Sequence, residues 1–243
     1  MIWVLHICFS AFVVLAAAVL PAPATTVRGS VELTSSREPT VRKHKDYSGV
    51  VVWLEPVRGS VPLLDPRKPA QMIQKNKAFT PHVLAIPVGA SVSFPNLDPI
   101  FHSAFSNFNG QIFDLALYKP GSSRTVAFKR PGIVRVFCNI HPQMSAVIVV
   151  LDTPYFAVSN KAGTFEIDGV PPGEYQFRIF HEGAAAETLD GLTRKITVET
   201  ASLELPRLSI SESGYLQVPH KNKYGKDYPP VIEDQPAYPG APK

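Results

Sequence analysis

The sequence predicts an all-β protein folded as a sandwich or a barrel. Short apolar runs such as Gly49–Leu54 and Ser145–Leu151 recur along the chain, and turn residues separate them at the spacing of about 8–12 residues that is typical of such folds. The 24 prolines fall mainly between these runs, where they end strands. No segment shows the periodicity of an amphipathic helix. An apolar share of 45% and a charged share of 18% indicate a globular chain rather than a disordered one.

The N-terminal segment, residues 1–24, contains no Asp, Glu, Lys or Arg. Its apolar run 7–20 is followed by Pro21-Ala22-Pro23-Ala24, which resembles a cleavage site with small residues. This pattern predicts a signal peptide that is cut after Ala24, so that the rest of the chain is exported to the periplasm or the outside. The alternative is an uncleaved membrane anchor, because residues 2–20 are almost continuously apolar. A membrane would be a partner only if the segment were retained.

The next part of the chain predicts two strands and a linker. Residues Val27–Thr34 alternate between apolar and polar side chains, and the run Gly49–Leu54 is almost continuously apolar, as expected of a buried strand. The polar, basic stretch Ser35–Tyr47 between them predicts an exposed loop. Residues 59–69 are rich in proline and predict a linker.

Two further series of strands follow, and then a tail. The first series is predicted at Ala78–Gly89, Ser91–Phe94, Gln111–Tyr118, Ser123–Phe128, Ile133–Phe137 and Ser145–Leu151. The second is predicted at Tyr155–Val158, Thr164–Ile167 and Gln176–Phe180, with two more strands at Ile196–Val198 and Leu203–Leu208. Residues 209–243 are polar and rich in proline, which predicts a flexible, extended tail.

Cysteine usage directs attention to one residue. Cys8 lies in the predicted signal peptide, so the exported chain keeps a single thiol, Cys138, and has no internal disulfide. An unpaired thiol in an exported protein is either a buried, inert side chain or a metal ligand.

The surroundings of Cys138 favour the metal ligand. Cys138, His141 and Met144 follow one another at intervals of three residues, directly after a predicted strand, and Pro142 stiffens the loop between them. A second imidazole, from His102 in a loop between two other strands, would complete a site of two imidazoles, one thiolate and a distant thioether. That donor set selects copper and suits electron transfer.

Other chemistries fit these residues less well. A structural zinc ion prefers four Cys or His donors, so a site with a thioether is a poor match. Nothing in the sequence resembles an oxyanion site or a third residue that would orient a Cys–His pair, and we therefore expect no enzyme activity. The remaining histidines are expected to be structural or solvated: His44, His82, His181 and His220.

Residues 70–152 resemble the cupredoxins, the type-1 blue copper proteins, with a ligand loop of the amicyanin kind. The resemblance rests on Cys138–Met144 and on an upstream segment formed by Val88-Gly89, Val92, Phe94, Asn96, Asp98 and His102. It implies a Greek-key β-sandwich with one type-1 copper, held by His102, Cys138 and His141 in the equatorial plane and by Met144 as axial ligand. It also implies that Asn96 connects the His102 loop to the Cys138 loop.

A second resemblance concerns the flanking segments. The stretches Asn160–Ile167 and Val170–Tyr175 resemble carboxypeptidase-regulatory-like, or transthyretin-like, β-sandwiches, and residues 29–33 with 50–54 resemble the start of such a domain. This implies that residues 25–58 and 153–208 build a smaller sandwich into which the cupredoxin segment is inserted, with two consecutive domains as the alternative. The combination resembles that of methylamine-utilisation proteins.

The charge distribution bears on partners. Residues 25–152 carry 15 basic and 8 acidic side chains, whereas residues 153–208 carry 5 and 8. No basic run is interleaved with aromatic residues as nucleic-acid binding would require. We therefore expect an acidic redox protein as the partner of a single-electron carrier, with His141 as the exit edge and Pro142 in the docking patch. The alternatives are a non-redox copper-binding or delivery protein and an adhesion-type sandwich with a vestigial site.

Overall fold

The computed structural model describes residues 24–59, 69–107, 110–214 and 220–229. Nearly all of the predicted signal peptide, most of the linker and both ends of the tail beyond residue 214 lie outside these ranges. Within them the chain forms strands in several sheets and two short helices, which confirms the all-β prediction. Neither of these helices has the length and the apolar character needed to cross a membrane.

The described residues form the following strands, numbered in chain order: β1 (Thr25–Thr34), β2 (Val51–Pro56), β3 (Ala70–Gln71), β4 (Ile73–Lys75), β5 (Ala78–Thr80), β6 (Val83–Pro87), β7 (Ser91–Pro95), β8 (His102–Ser106), β9 (Phe113–Tyr118), β10 (Ser123–Ala127), β11 (Gly132–Phe137), β12 (Ser145–Leu151), β13 (Phe156–Val158), β14 (Thr164–Val170), β15 (Gly173–Phe180), β16 (Arg194–Val198), β17 (Leu203–Glu204) and β18 (Leu208–Ser211). The helices are α1 (Pro39–His44) and α2 (Ala186–Leu192).

Strands β3 to β12 form one unit, which we call the central sandwich. One sheet has the strand order β6-β12-β11-β8-β9 and a second has the order β10-β7-β3. Side chains of both sheets share one buried core, in which Phe94 and Val126 of the small sheet meet Val136 and Ile148 of the large one. Because apolar side chains fill the space between the sheets, the loops at their ends are held in fixed relative positions.

Strands β1, β2 and β13 to β18 form a second unit, the flanking sandwich. One sheet places β1 between β14 and the parallel strands β17 and β18, and the other has the order β13-β2-β15-β16. Their shared core includes Val31, Leu54, Ile167 and Phe177. Strand β2 precedes the central sandwich in the chain, yet it pairs with β13 and β15, which follow it.

The chain leaves and re-enters the flanking sandwich at one place. The Thr153 hydroxyl donates to the carbonyl of Leu54 at 2.7 Å, and the N–H of Leu54 donates to the carbonyl of Tyr155 at 2.9 Å. The two ends of the intervening segment are therefore adjacent, so the central sandwich can occupy this interval without separating β2 from its partners.

The two sandwiches meet in an apolar seam. Val51 of β2 and Val147, Val149 and Leu151 of β12 are buried there, with Trp53 and other partly buried side chains packed around them. Such burial of branched side chains between two sheets stabilises their contact, because each removes apolar surface from water.

Two local predictions are wrong. The stretch Ser35–Tyr47 is not only a loop, because it contains α1, which begins at Pro39. Proline suits the first turn of a helix, because an N–H at that position would have no intrahelical acceptor. The predicted flexible tail begins too early, because residues 209–211 belong to β18 and pair with β1. Residues 220–229 are also placed, against the central sandwich.

Candidate metal centre

Three donor atoms from two distant stretches of the chain converge in the central sandwich. His102 Nδ1 lies 3.1 Å from His141 Nδ1, and Cys138 Sγ lies 3.6 Å from His141 Nδ1 and 3.9 Å from His102 Nδ1. The three residues form a group whose ligand atoms all lie within 4.8 Å of one another. The sequence-predicted triad is thus brought together by the fold.

The ligand loop, residues 138–144, connects two paired strands. Cys138 directly follows β11 and Met144 directly precedes β12, and the two strands pair in antiparallel register up to Phe137 and Ser145. Inside the loop the N–H of Cys138 donates to the carbonyl of Met144 at 3.1 Å, and the N–H of Met144 donates to the carbonyl of His141 at 3.0 Å. Cys138 and Met144 are fully buried, so the thioether and the thiol both lie inside the sandwich.

His102 differs from its predicted setting in one respect. It is the first residue of strand β8 rather than part of a loop, and its side chain is fully buried. Strand β8 pairs with β11 through Phe105 and Phe137. The sheet itself, and not a flexible connection, therefore sets the distance between His102 and the Cys138 end of β11.

A buried carboxylate orients His102. The Nε2–H of His102 donates to Asp98 Oδ2 at 2.7 Å, so the hydrogen lies on that nitrogen and the lone pair of Nδ1 faces Cys138. Asp98 in turn accepts the N–H groups of Asn76 at 2.6 Å and of Lys77 at 2.9 Å. Burial alone would raise the pKa of Asp98, but these N–H donors and the His102 contact outweigh it and hold the pKa below its usual range. Carboxylate–histidine contacts of this kind fix the orientation of metal-binding imidazoles.

The contacts of Asn96 differ from the predicted ones. Its side-chain amide donates to the carbonyls of Ile100 at 2.8 Å and Tyr118 at 3.4 Å, and its oxygen accepts the N–H of Asp98 at 3.0 Å. These bonds shape the turn that leads to β8, because all three partners lie on the His102 side of the site.

Ser103 makes the connection that the resemblance implies for Asn96. Its hydroxyl oxygen accepts the N–H of Asn139 at 2.8 Å and lies 3.8 Å from Cys138 Sγ, within donating distance of the sulfur. Ser103 follows His102 on β8. The same strand therefore carries a candidate ligand, His102, and the hydroxyl group that binds the ligand loop at Asn139.

The thiol of Cys138 is set up to lose its proton. Burial opposes ionisation, but the contacts of the sulfur with the His102 and His141 rings outweigh it and lower the pKa of the thiol to about 5. The pKa of His102 is raised: burial lowers it, and the contacts with Cys138 and Asp98 more than compensate. The thiolate is the form of cysteine that binds metal ions.

The donor set fits a first-row transition-metal ion. Nitrogen and sulfur donors that surround such an ion at about 2.0–2.3 Å and about 100–120° lie about 3–4 Å apart, and the three distances between the donor atoms fall in that range. Two imidazoles and a thiolate with a thioether on the same loop match the trigonal copper sites that carry electrons, whereas tetrahedral zinc sites seldom use a thioether.

Three residues after position 219 lie against the ligand loop, and no local sequence pattern indicates these contacts. His220 Nε2 lies 2.6 Å from the carbonyl of Pro142, the Tyr228 hydroxyl lies 2.7 Å from the carbonyl of Cys138, and the N–H of Lys223 donates to Asn139 Oδ1 at 2.9 Å. His220, expected to be solvated, is half-buried instead.

His181, also expected to be solvated, contacts Glu212 at 2.6 Å with a side chain that is 12% exposed. The sequence pattern before His102 includes Asp98 but assigns it no role, whereas Ser103 and Tyr228 are identified only by the fold.

Comparisons with solved structures return copper proteins. The chain is similar to a purple cupredoxin from Nitrosopumilus maritimus, with 26% identity over 34% of this chain and 99% of that one and a TM-score of 0.31. It is similar to a reduced mutant of amicyanin, with 15% identity over 41% of this chain and 98% of that one and a TM-score of 0.33.

A third similar structure is the Cu-containing nitrite reductase (NirK) from Thermus scotoductus SA-01, with 24% identity and a TM-score of 0.34. The match covers 50% of this chain and 28% of the length of that enzyme. No protein-family profile matches the chain, and no curated protein sequence does.

Proposed function

We propose that this chain is an exported type-1 copper protein that carries single electrons between redox partners. The observation that carries the proposal is the convergence of His102 Nδ1, Cys138 Sγ and His141 Nδ1 within 4.8 Å of one another. Met144, buried on the same loop as two of them, is the proposed axial ligand. Copper held there would supply a one-electron change between Cu(I) and Cu(II).

Electron transfer would be fast if the positions of the metal ligands changed little between the two oxidation states. Asp98 holds the His102 ring in one orientation, and Ser103 holds the backbone of the ligand loop at Asn139. Burial of Cys138 and Met144 keeps water from the sulfur atoms. His141, which is only partly buried, is the proposed edge through which electrons leave.

Burial also favours an electron carrier over a copper-delivery protein. A delivery protein must release its metal to a partner, which is easiest from an exposed and pliable set of ligands. Here His102, Cys138 and Met144 are fully buried, and the loop that bears two of them is paired at both ends to strands of one sheet.

The proposed partner is an acidic redox protein, and the charges around the site support this. Residues 25–152 carry a surplus of basic side chains, and Lys221 and Lys226, close in sequence to the residues that contact the ligand loop, are exposed. Opposite charges would speed the encounter of the two proteins, and added salt would slow it.

The proposed domain arrangement is a cupredoxin segment, residues 70–152, inserted into a smaller sandwich formed by residues 25–58 and 153–208. The pairing of β2 with β13 and β15, and the contact of Leu54 with Thr153, support this arrangement.

The first test is an absorption spectrum of the chain without residues 1–24 after addition of Cu(II). We expect an intense visible band from the bond between Cys138 and copper, and we expect Cys138→Ser to abolish it. His82→Gln is the matched control, because it removes an imidazole outside the site and should leave the band unchanged. A wild-type protein that stays colourless would contradict the proposal.

A second measurement separates the carrier from a delivery protein. Voltammetry of the copper-loaded chain should show one reversible one-electron wave over repeated cycles. Loss of copper on reduction, with no return of the wave, would favour delivery.

A further inference from the structure

A short C-terminal segment, residues 220–229, lies across the ligand loop. Residues of this segment contact Cys138, Asn139 and Pro142, three of the seven residues of the loop, although some 80 to 90 positions separate the partners in the chain. The segment is rich in lysine and carries few apolar side chains, so hydrophobic burial alone does not explain its position.

Two of the contacts hold backbone carbonyls of the loop. The Tyr228 hydroxyl donates to the carbonyl of Cys138 at 2.7 Å, and His220 Nε2–H donates to the carbonyl of Pro142 at 2.6 Å. A carbonyl can only accept, so both side chains must be the donors. The contacts fall on both sides of His141, and together they fix the backbone that carries its imidazole.

Further contacts anchor the segment beside the loop. The N–H of Lys223 donates to Asn139 Oδ1 at 2.9 Å, and Lys223 Nζ pairs with Asp114 of β9 at 2.7 Å. The His220 ring stacks on Phe137, the last residue of β11, with 4.2 Å between ring centroids and 25° between planes. The segment is thus attached to the loop, to β9 and to β11, three parts of the central sandwich.

The position of the segment matters for the passage of a metal ion. His102, Cys138 and Met144 are fully buried and His141 is only partly buried, so outward movement of the ligand loop would open a path for an ion to reach them. The loop has few hydrogen bonds of its own across its middle, namely those between Cys138, His141 and Met144. Outward movement would break the carbonyl contacts of Tyr228 and His220.

We propose that residues 220–229 form a clamp that holds the ligand loop closed and slows both uptake and release of the metal. The proposal rests on the copper site of the proposed function for its metal, and on the contacts above for its mechanism. It also revises the expected docking patch, because the clamp already contacts Pro142.

The first test uses the metal-free protein. Tyr228→Phe removes one hydroxyl and keeps the ring, and we expect amide hydrogens of the ligand loop, such as those of Cys138 and Met144, to exchange about threefold to tenfold faster, as the loss of one hydrogen bond predicts. Tyr224→Phe is the matched control, because that ring lies on the same segment and is 70% exposed. Equal exchange rates in Tyr228→Phe and wild type would overturn the clamp.

The second test measures transfer of bound Cu(I) to a chromogenic chelator in excess. We expect release about threefold to tenfold faster for Tyr228→Phe, and faster still for a chain that ends at Gly214. Unchanged release from both variants would overturn the proposal.

The two tests separate the clamp from the proposed function. If the wild type binds no copper, the proposed function fails, while the exchange rates still decide whether the segment holds the loop. If copper binds and gives the expected colour but exchange and release do not respond to either variant, the function stands and the clamp is wrong.

Discussion

At the scale of single residues, the site depends on groups that do not touch the proposed metal. Asp98 binds two backbone N–H groups and the His102 ring with its two oxygens, so a single carboxylate connects the turn at Asn76 and Lys77 to the imidazole. An amide in its place would offer one accepting oxygen, and one of the three donors would lose its partner. The orientation of the His102 ring therefore depends on the backbone of the turn at Asn76 and Lys77, which holds Asp98 in place.

Ser103 and Ser106 offer a matched pair of substitutions on one strand. Both are buried in β8, but Ser103 accepts the N–H of Asn139, whereas the Ser106 hydroxyl has no hydrogen-bond partner among the described residues. Ser103→Ala should lower the free energy of unfolding by about 1–2 kcal/mol, because it leaves the Asn139 N–H without its acceptor. Urea unfolding of the metal-free protein measures this.

The control is Ser106→Ala, which removes an unsatisfied hydroxyl and should be neutral or slightly stabilising. Equal losses of stability in the two variants would show that the contact between Ser103 and Asn139 contributes nothing.

At the scale of elements, the turn before β14 requires a glycine. Gly163 has a φ of +80°, and a Cβ atom added there would lie 2.1 Å from the carbonyl oxygen of Val31 on β1. Both backbone groups of Gly163 are hydrogen-bonded: its N–H donates to the carbonyl of Asn160 at 2.8 Å, and its carbonyl accepts the N–H of Val31 at 2.9 Å. The turn thus approaches β1 so closely that no side chain fits between them.

Gly163→Ala should therefore lower the free energy of unfolding by more than about 2 kcal/mol, because it adds a clash with backbone to an unfavourable φ. Gly169→Ala is the control: its φ is +73°, but nothing lies within 4 Å of the added Cβ, so only the backbone cost of about 1 kcal/mol applies. Denaturant midpoints of the two variants give the comparison, and a smaller loss at Gly163 would contradict the close approach.

The elements also show what the sequence could predict. Strand β12 was predicted at its observed bounds, because a long apolar run between turn residues is a local signal. The helix α1 has one buried side chain, Val41, in only 6 residues, which is too short for a periodic pattern. The turn residues before His102 predict a loop at that position, yet pairing of His102 with Tyr118 of β9 makes it the first residue of a strand.

Local and long-range signals differ in the same way within the site. The spacing of Cys138, His141 and Met144 is local and could be predicted, since one loop carries all three. The contacts of residues 220–229 with this loop could not be predicted from the sequence. Two of them are to backbone carbonyls, which every residue has, and they form only when the folded chain brings residues 220–229 next to the loop.

At the scale of the whole molecule, a polar cluster joins the two sandwiches beside their apolar seam. His82 of the central sandwich contacts Glu182 of the flanking one at 2.6 Å, and Arg135 contacts the other oxygen of Glu182 at 2.9 Å. His82 Nδ1 also faces the carbonyl of Ser145 at 3.0 Å. Both ring nitrogens thus face acceptors, and only the protonated ring can donate to both.

The contact shifts both pKa values in the direction of an ion pair. The hydrogen bond with Glu182 raises the pKa of His82 despite partial burial. Burial would raise the pKa of Glu182, but the hydrogen bond with His82 and the electrostatic interactions with His82, Arg135 and His181 outweigh it and lower the pKa. The histidine contribution to stability is therefore complete below pH 6.5 and is lost as pH rises through the raised pKa. The glutamate contribution is present above pH 4.5 and is lost as pH falls through the lowered pKa.

We expect the wild type to lose stability as pH rises above 6.5 and His82 gives up its proton, and we expect His82→Gln to flatten that part of the profile. The effect should be at most about 1 kcal/mol, because the His82 side chain is 53% exposed. Urea unfolding at several pH values measures it. His44→Gln, at an exposed position in α1, should keep the wild-type slope, and an unchanged slope in His82→Gln would contradict the role of the pair.

The position of Trp53 gives the molecule an optical reporter. The sequence contains two tryptophans, and Trp53 packs at the seam while its indole N–H donates to Glu55 Oε1 at 2.9 Å. A polypeptide freed of residues 1–24 would have this one indole as its tryptophan fluorophore. Separation of the sandwiches would wet the indole and shift its emission to longer wavelength, so fluorescence would follow their undocking without any label.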